Sequence, residues 1–91
     1  MSDFQDDLLK LRFSNDRAAA KWSVGHKARY DLRAARQKSG DVLVRILPRE
    51  DAYTEELFGL PVIVDRKLPD NVAVLEASDG RELGRIVVRP S

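Results

Sequence analysis

Ninety-one residues, 43% hydrophobic and 34% charged with a formal net charge of +1, suffice for one folded domain spanning 1–91 and leave no room for two. With no cysteine in the chain, disulfide staples, zinc–thiolate sites and thiol catalysis are excluded. No stretch approaches the ~20 apolar residues of a membrane span, and the acidic opening MSDFQDDLLK lacks the apolar run of a secretory signal, so no membrane partner is expected. The expected setting is the cytoplasm, or something assembled there.

Taken in order, residues 3–13 read as a short amphipathic helix. Ser2 and Gln5 have capping-box spacing, and Asp3, Asp6 and Asp7 suit the positive end of the helix dipole. Phe4, Leu8 and Leu11 recur at i, i+4 and i+7. Ser14-Asn15-Asp16 offers a stop and a fresh N-cap. A second helix is expected over 17–38, opened by the strong helix former Ala18-Ala19-Ala20 and weakened near Gly25, where a kink is expected. Val24, Ala28, Leu32 and Ala35 form its apolar stripe, and Ser39-Gly40 its stop.

The period then changes from helix to strand. Strands are expected over 42–47, ended by Pro48, and over 60–64, where Pro61 implies a strand start or an edge. Two more follow over 72–76 and 82–88, joined by the hairpin signal Ser78-Asp79-Gly80 and therefore antiparallel. Between the first two strands, 49–58 is polar and acidic and reads as a helical turn capped by Asp51 and closed by Gly59. The fold class is α+β: helices first, then a small, mostly antiparallel four-stranded sheet.

Charge follows the same division. Residues 1–40 hold nine Lys/Arg and five Asp/Glu, whereas 41–91 hold seven and ten. A basic helical half is thus joined to an acidic β half, and 17–38 alone holds seven basic residues against one acid, Asp31.

None of the chemistry-bearing residues forms a catalytic or metal pattern. His26, the sole histidine, has no nucleophile or orienting partner nearby in sequence and reads as a surface or structural residue. Asp65, Asp70, Asp79 and Glu82 match no calcium loop, and turn acids explain them better. Gly59, Gly80 and Gly84 fit no phosphate-binding loop. No cofactor and no enzymatic activity are expected.

The candidate partner-binding residues are Trp22, Arg29, Tyr30, Arg33, Arg36 and Pro61. On a continuous helix Arg29, Arg33 and Arg36 share a face at i, i+4 and i+7, where an acidic partner would relieve their mutual repulsion. Trp22 fits either an interface anchor or a core residue joining helices to sheet. The intrachain alternative for the arginines is that Glu50, Glu55 or Glu56 folds back onto them.

One segment adds a resemblance. Leu57-Phe58-Gly59-Leu60-Pro61-Val62-Ile63-Val64-Asp65, then Leu68-Pro69 and the apolar run Val72 to Leu75, resembles a stretch of tailed-phage major capsid proteins of the HK97 type and strings in small virion-associated proteins. It covers about a fifth of the chain, which is several times shorter than such capsid subunits. The resemblance implies a small auxiliary virion protein, capsid-stabilising, connector or minor structural, bound to itself or to larger virion proteins. Two other readings are a nucleic-acid-binding regulator using the basic helix 17–38, and an antitoxin or adaptor-like domain.

A domain this short buries roughly 60–65% of the surface of its unfolded chain, a thin core that association would reinforce. Light scattering across a concentration series is therefore expected to show an oligomer, or a chain that becomes ordered on a larger assembly. A tight monomer at every concentration, with no partner in pull-downs, contradicts this expectation.

Overall fold

The computed structural model describes residues 4–89, so the Ser2 and Asp3 capping positions lie outside the described residues. In chain order the elements are α1 (Phe4–Ser14), β1 (Ala19–Val24), α2 (His26–Ala34), β2 (Val44–Pro48), β3 (Tyr53–Leu57), β4 (Leu60–Val64), β5 (Val72–Ala77) and β6 (Glu82–Val87). The six strands form one sheet in the order β2-β3-β4-β1-β5-β6. β1 runs parallel to β4, and every other neighbour is antiparallel. The class is α+β, with two strands more than the sequence predicts.

The largest departure is at 17–38. The expected long helix is a strand, β1, followed by a helix of nine residues, α2. In Ala19–Val24 the residues alternate between the two faces of the sheet, with Trp22 and Val24 turned toward the helices and Lys21 and Ser23 away. Helix propensity differs by at most about 0.7 kcal/mol per ordinary residue, whereas burying a large apolar side chain is worth about 1.5–3 kcal/mol. Trp22 and Val24 are both 0% exposed, so burial outweighs the preference of the alanines. The indole N–H of Trp22 donates to the Leu57 carbonyl at 3.0 Å, which satisfies its one polar atom inside the core.

Asn15 ends α1 but caps no second helix: its side-chain amide donates to the Leu11 carbonyl at 3.0 Å. Gly25 marks the turn from β1 into α2, not a kink within a helix. Its backbone is extended and caps α2 without a side-chain bond. The β4–β5 loop holds this start of α2 in place, as the Gly25 amide donates to the Val72 carbonyl at 2.8 Å and the Ala28 amide to Asp70 at 2.7 Å. A Cβ at Gly25 would lie 2.1 Å from the Pro69 carbonyl oxygen.

α2 stops at Ala34 because Ala35 turns extended (φ −72, ψ 150). Arg36 already pairs with Val42 across a tight turn in which Gly40 takes φ +91. The expected helical turn over 49–58 is instead strand β3, joined to β4 by a two-residue turn whose residues, Phe58 (φ 51) and Gly59 (φ 83), both have positive φ. The four expected strands appear at 44–48, 60–64, 72–77 and 82–87, and β5 and β6 pair antiparallel as the hairpin signal predicts. β4 is interior rather than an edge. Pro61 is tolerated because the β1–β4 ladder begins at Trp22↔Val62, one residue beyond its missing N–H.

Both helices cover the same face. Leu8 of α1 and Ala28 and Leu32 of α2 join Trp22, Val24, Leu57, Ala73 and Leu75 in one buried cluster. α1 approaches β6 closely enough that a Cβ at Gly84 would meet Leu11 Cδ1 at 2.5 Å. No described helix covers the opposite face, on which the register places Lys21, Ser23, Ile63, Val74, Glu76, Glu82, Arg85 and Val87. Glu76 and Glu82 stand directly opposite each other there, yet each has a partner: Ser23 Oγ donates to Glu76, and Arg85 pairs with Glu82 at 2.7 Å. The bond from Arg85 holds the Glu82 carboxyl below the usual carboxylate range. Among the described residues no helix is long and apolar enough to cross a membrane.

The two tight glycines predict a ranking. Gly25→Ala drives a methyl into backbone and is expected to cost about 3 kcal/mol or more. Gly84→Ala meets only the end of a flexible leucine and is expected to cost about 1 kcal/mol. Urea unfolding followed by the fluorescence of the sole tryptophan measures both, and the reverse order would contradict the packing described.

Candidate functional site

β3 and β4 leave their hairpin turn as neighbours and then part. They pair at Leu57↔Leu60 and Glu56↔Pro61, and there the ladder ends, although β3 reaches back to Tyr53 and β4 on to Val64. The divergence opens a cleft of about 470 Å³. Pro61 to Val64 form one wall, Tyr53 to Glu55 the other, and Arg29 reaches in from α2.

Glu55 is the electrostatic centre. Its side chain is 5% exposed, on the helix-covered face of β3, and Arg29 Nε donates to its two carboxylate oxygens at 3.0 and 3.2 Å. Arg33, one turn further along α2, brings Nη1 to 3.8 Å from Oε1. The hydrogen bond from Arg29 to Glu55 pushes the guanidinium further above its ordinary value, burial opposes this, and Tyr53 adds a smaller upward contribution. Two guanidinium groups thus share one carboxylate, and Arg33 keeps most of its donors and a side chain 41% exposed. On the outer end of the β3 wall, Arg49 Nε donates to Thr54 Oγ1 at 3.3 Å.

The structure brings Arg29 and Pro61 into this cleft and places Arg33 at its mouth. Tyr30 lies on α2 next to them but projects into solvent, 74% exposed. Arg36 is separated from the other two arginines. α2 ends two residues before it, so no i, i+7 relation exists, and its Nη1 instead donates to the Arg33 and Ala35 carbonyls at 3.2 and 3.1 Å, closing the C-terminus of its own helix. Of the two readings of Trp22, interface anchor and core residue, the structure places it in the core, with its side chain wholly buried. Of the three acids able to fold back on the arginines, Glu55 does so.

Tyr53, Thr54, Val62, Ile63 and Val64 are the site residues that sequence reasoning missed. The period-2 run Tyr53-Glu55-Leu57 was the available signal, with an acid on the inward side of a strand facing arginines spaced i, i+4. His26 is exposed at the start of α2. Asp65 and Asp79 accept the amides of Lys67 and Arg81, each at 2.9 Å, as turn residues do. Among the described residues no group of three or more His, Asp or Glu is placed to hold a metal ion. A second open cleft of about 420 Å³ lies between α1 and the 36–39 turn, where Gln5 Nε2 donates to the Arg36 carbonyl at 2.9 Å.

No family model, curated protein or solved structure matches the chain.

Glu55→Gln leaves two guanidinium groups around a neutral amide. Breaking a fully buried pair costs about 3–5 kcal/mol and breaking a surface pair about 0–1. With one partner buried and the other partly exposed, the expected loss is about 1–3 kcal/mol, read from the urea midpoint. Arg33→Gln is expected to stay within about 0.5 kcal/mol of the parent. Equal losses for both variants would show that Arg33, not Arg29, carries the pairing.

Proposed function

We propose that this protein is a non-enzymatic binding protein that joins other protein subunits, as a small auxiliary component of a phage-like virion. The observation that carries the reading is the composition of the cleft and its rim. Arg29, Tyr53 and Pro61 line it, and Arg33 and Tyr30 stand exposed beside it on α2. Tyrosine and arginine over apolar strand residues are the side chains enriched where proteins meet.

The capsid resemblance bears on the same place. Its residues 57–65 supply the hairpin turn and the β4 wall of the cleft, and 68–75 the following loop and β5. The sheet face left without a helix, with Ile63 and Val87 exposed, suits a subunit that completes its burial in a larger body. On this reading the chain acts in the cytoplasm, where such particles assemble, and needs no cofactor.

The test is sedimentation of the tagged full-length chain expressed in its native host. It is expected to co-purify with a high-mass protein particle, and Arg33→Glu to weaken that association at least tenfold, about 1.4 kcal/mol. Between 50 and 200 mM salt the association is expected to fall only modestly, as for charges at a protein rim. A chain that never leaves the top of the gradient contradicts the proposal. So does mixed-sequence DNA binding that falls about a thousandfold or more over that salt range, which would assign the basic surface to phosphates instead.

A further inference from the structure

We infer that the outer edge of β6 is a homodimer interface, at which β6 pairs antiparallel with β6 of a second copy about a two-fold axis through Ile86. The inference does not depend on the reading of the cleft, because β6 ends the sheet on the side away from β3 and β4.

The first argument is the direction of the backbone groups. The Val88 amide donates to the Asn71 carbonyl at 2.7 Å, toward β5. Peptide groups alternate along a strand, so those of Ile86 and Gly84 face β5 as well, and the N–H and C=O of Arg85 and Val87 face outward. No other strand lies beyond them among the described residues. The other edge of the sheet is less open. Beside β2, Arg36 already bridges to Val42 and the Gln37 side chain donates to the Val42 carbonyl, while Pro48 at the far end lacks an N–H.

The second argument is register. Only residues whose backbone groups face outward can pair, and the register shift at Leu75/Glu76 takes the start of β6 out of regular pairing, which leaves Arg85 and Val87. An axis through Ile86 sets Arg85 opposite Val87 of the second copy twice over, each pair exchanging both of its N–H···O=C bonds. An axis through Arg85 would set that arginine against its own copy, and an axis through Val87 would set it against Arg89. Like charges directly opposite are destabilising, so the pattern of the strand selects the first register.

The third argument is the groove above this edge. On one flank of α1, Gln5 and Arg12 bond to the Arg36 and Phe58 carbonyls. The other flank, with Asp7, Lys10, Leu11 and Ser14, borders an open groove of about 330 Å³ whose floor is Ile86. In the selected register Ile86 stands opposite its own copy in a non-hydrogen-bonded pair, where side chains lie closest, and extends that apolar floor. Asp7 and Lys10 form no ion pair among the described residues. A two-fold axis makes the two α1 helices antiparallel and turns the acid of each toward the base of the other, so the rim is complementary to itself.

The experiment is sedimentation of the purified full chain from about 1 µM to about 1 mM, with amide exchange at both ends of the range. A dimer is expected to form as concentration rises. The Arg85 and Val87 amides are expected to exchange at least tenfold more slowly in it, and the Ile86 amide, already bonded to β5, to change little. Val87 is 43% exposed, so Val87→Lys and Val87→Glu are both expected to keep the parent urea midpoint. Val87→Lys faces Arg85 of the second copy and is expected to weaken the dimer at least tenfold, whereas Val87→Glu is expected to hold it as tightly as the parent or more so. Three results overturn the inference: a monomer at every concentration; a dimer that the two variants affect alike; or a dimer that leaves the Arg85 and Val87 amides unprotected. Protection of those amides only on a larger particle would name a different chain as the occupant and also overturn it. None of these results bears on the cleft, which is tested separately by co-sedimentation of the Arg33→Glu variant.

Discussion

Strand β1 is drawn from the basic first half of the chain, yet it lies between β4 and β5, both from the acidic second half. Trp22 stands opposite Val62 on one side and Leu75 on the other, and its indole closes on the Leu57 carbonyl across the sheet. Nearly every other feature depends on that insertion. It draws one core from both halves, puts both helices on one face and leaves α2 only the span between Gly25 and Ala35. Opposite charge on the two halves is therefore not a division of the body into two pieces. It becomes a local pairing, with a helix from the basic half resting over strands from the acidic half.

The shortened helix decides what the arginines do. A continuous helix to residue 38 would align Arg29, Arg33 and Arg36 as one basic face. The helix that forms leaves Arg36 to bond the carbonyls of its own C-terminus and turns Arg29 and Arg33 onto Glu55. Glu55 sits inside because β3 alternates: Tyr53, Glu55 and Leu57 share the helix-covered face, and Arg29 makes the burial of a carboxylate tolerable. The same Arg29 occupies the gap into which the two strands open. An interaction needed for folding and a surface suited to binding therefore meet at one place, which is why Glu55 and Arg33 should separate stability from association.

The open sheet face follows a different logic. Its central residues, Val72 and Val74, are small and are screened by neighbouring side chains to 6% and 3% exposure, while Ile63 and Val87 remain open. Charges of both signs, Lys21, Glu76, Glu82 and Arg85, are interspersed among them. Mixed charge over a thin apolar layer keeps such a face solvated without forbidding contact with another surface.

Local chemistry alone was enough for several features. The first helix follows from Phe4, Leu8 and Leu11, the β5–β6 hairpin from Asp79-Gly80, and the strand 60–64 from its β-branched run, because each signal acts within one or two turns of chain. The identity of 19–24 was not legible in this way. Three alanines favour helix locally by tenths of a kcal/mol each, and only a sheet assembled from residues 60–77 offers Trp22 and Val24 a deeper burial. β3 was hidden for a similar reason, since its turn places positive φ on a phenylalanine and its inward position carries a glutamate. Of the candidate site, the chain order showed the arginines, Tyr30 and Pro61. Their division into a pair on Glu55, a helix cap and an open cleft wall arose in three dimensions, because it depends on where a helix stops and where two strands part. Those points are set by long-range packing, which no local pattern encodes.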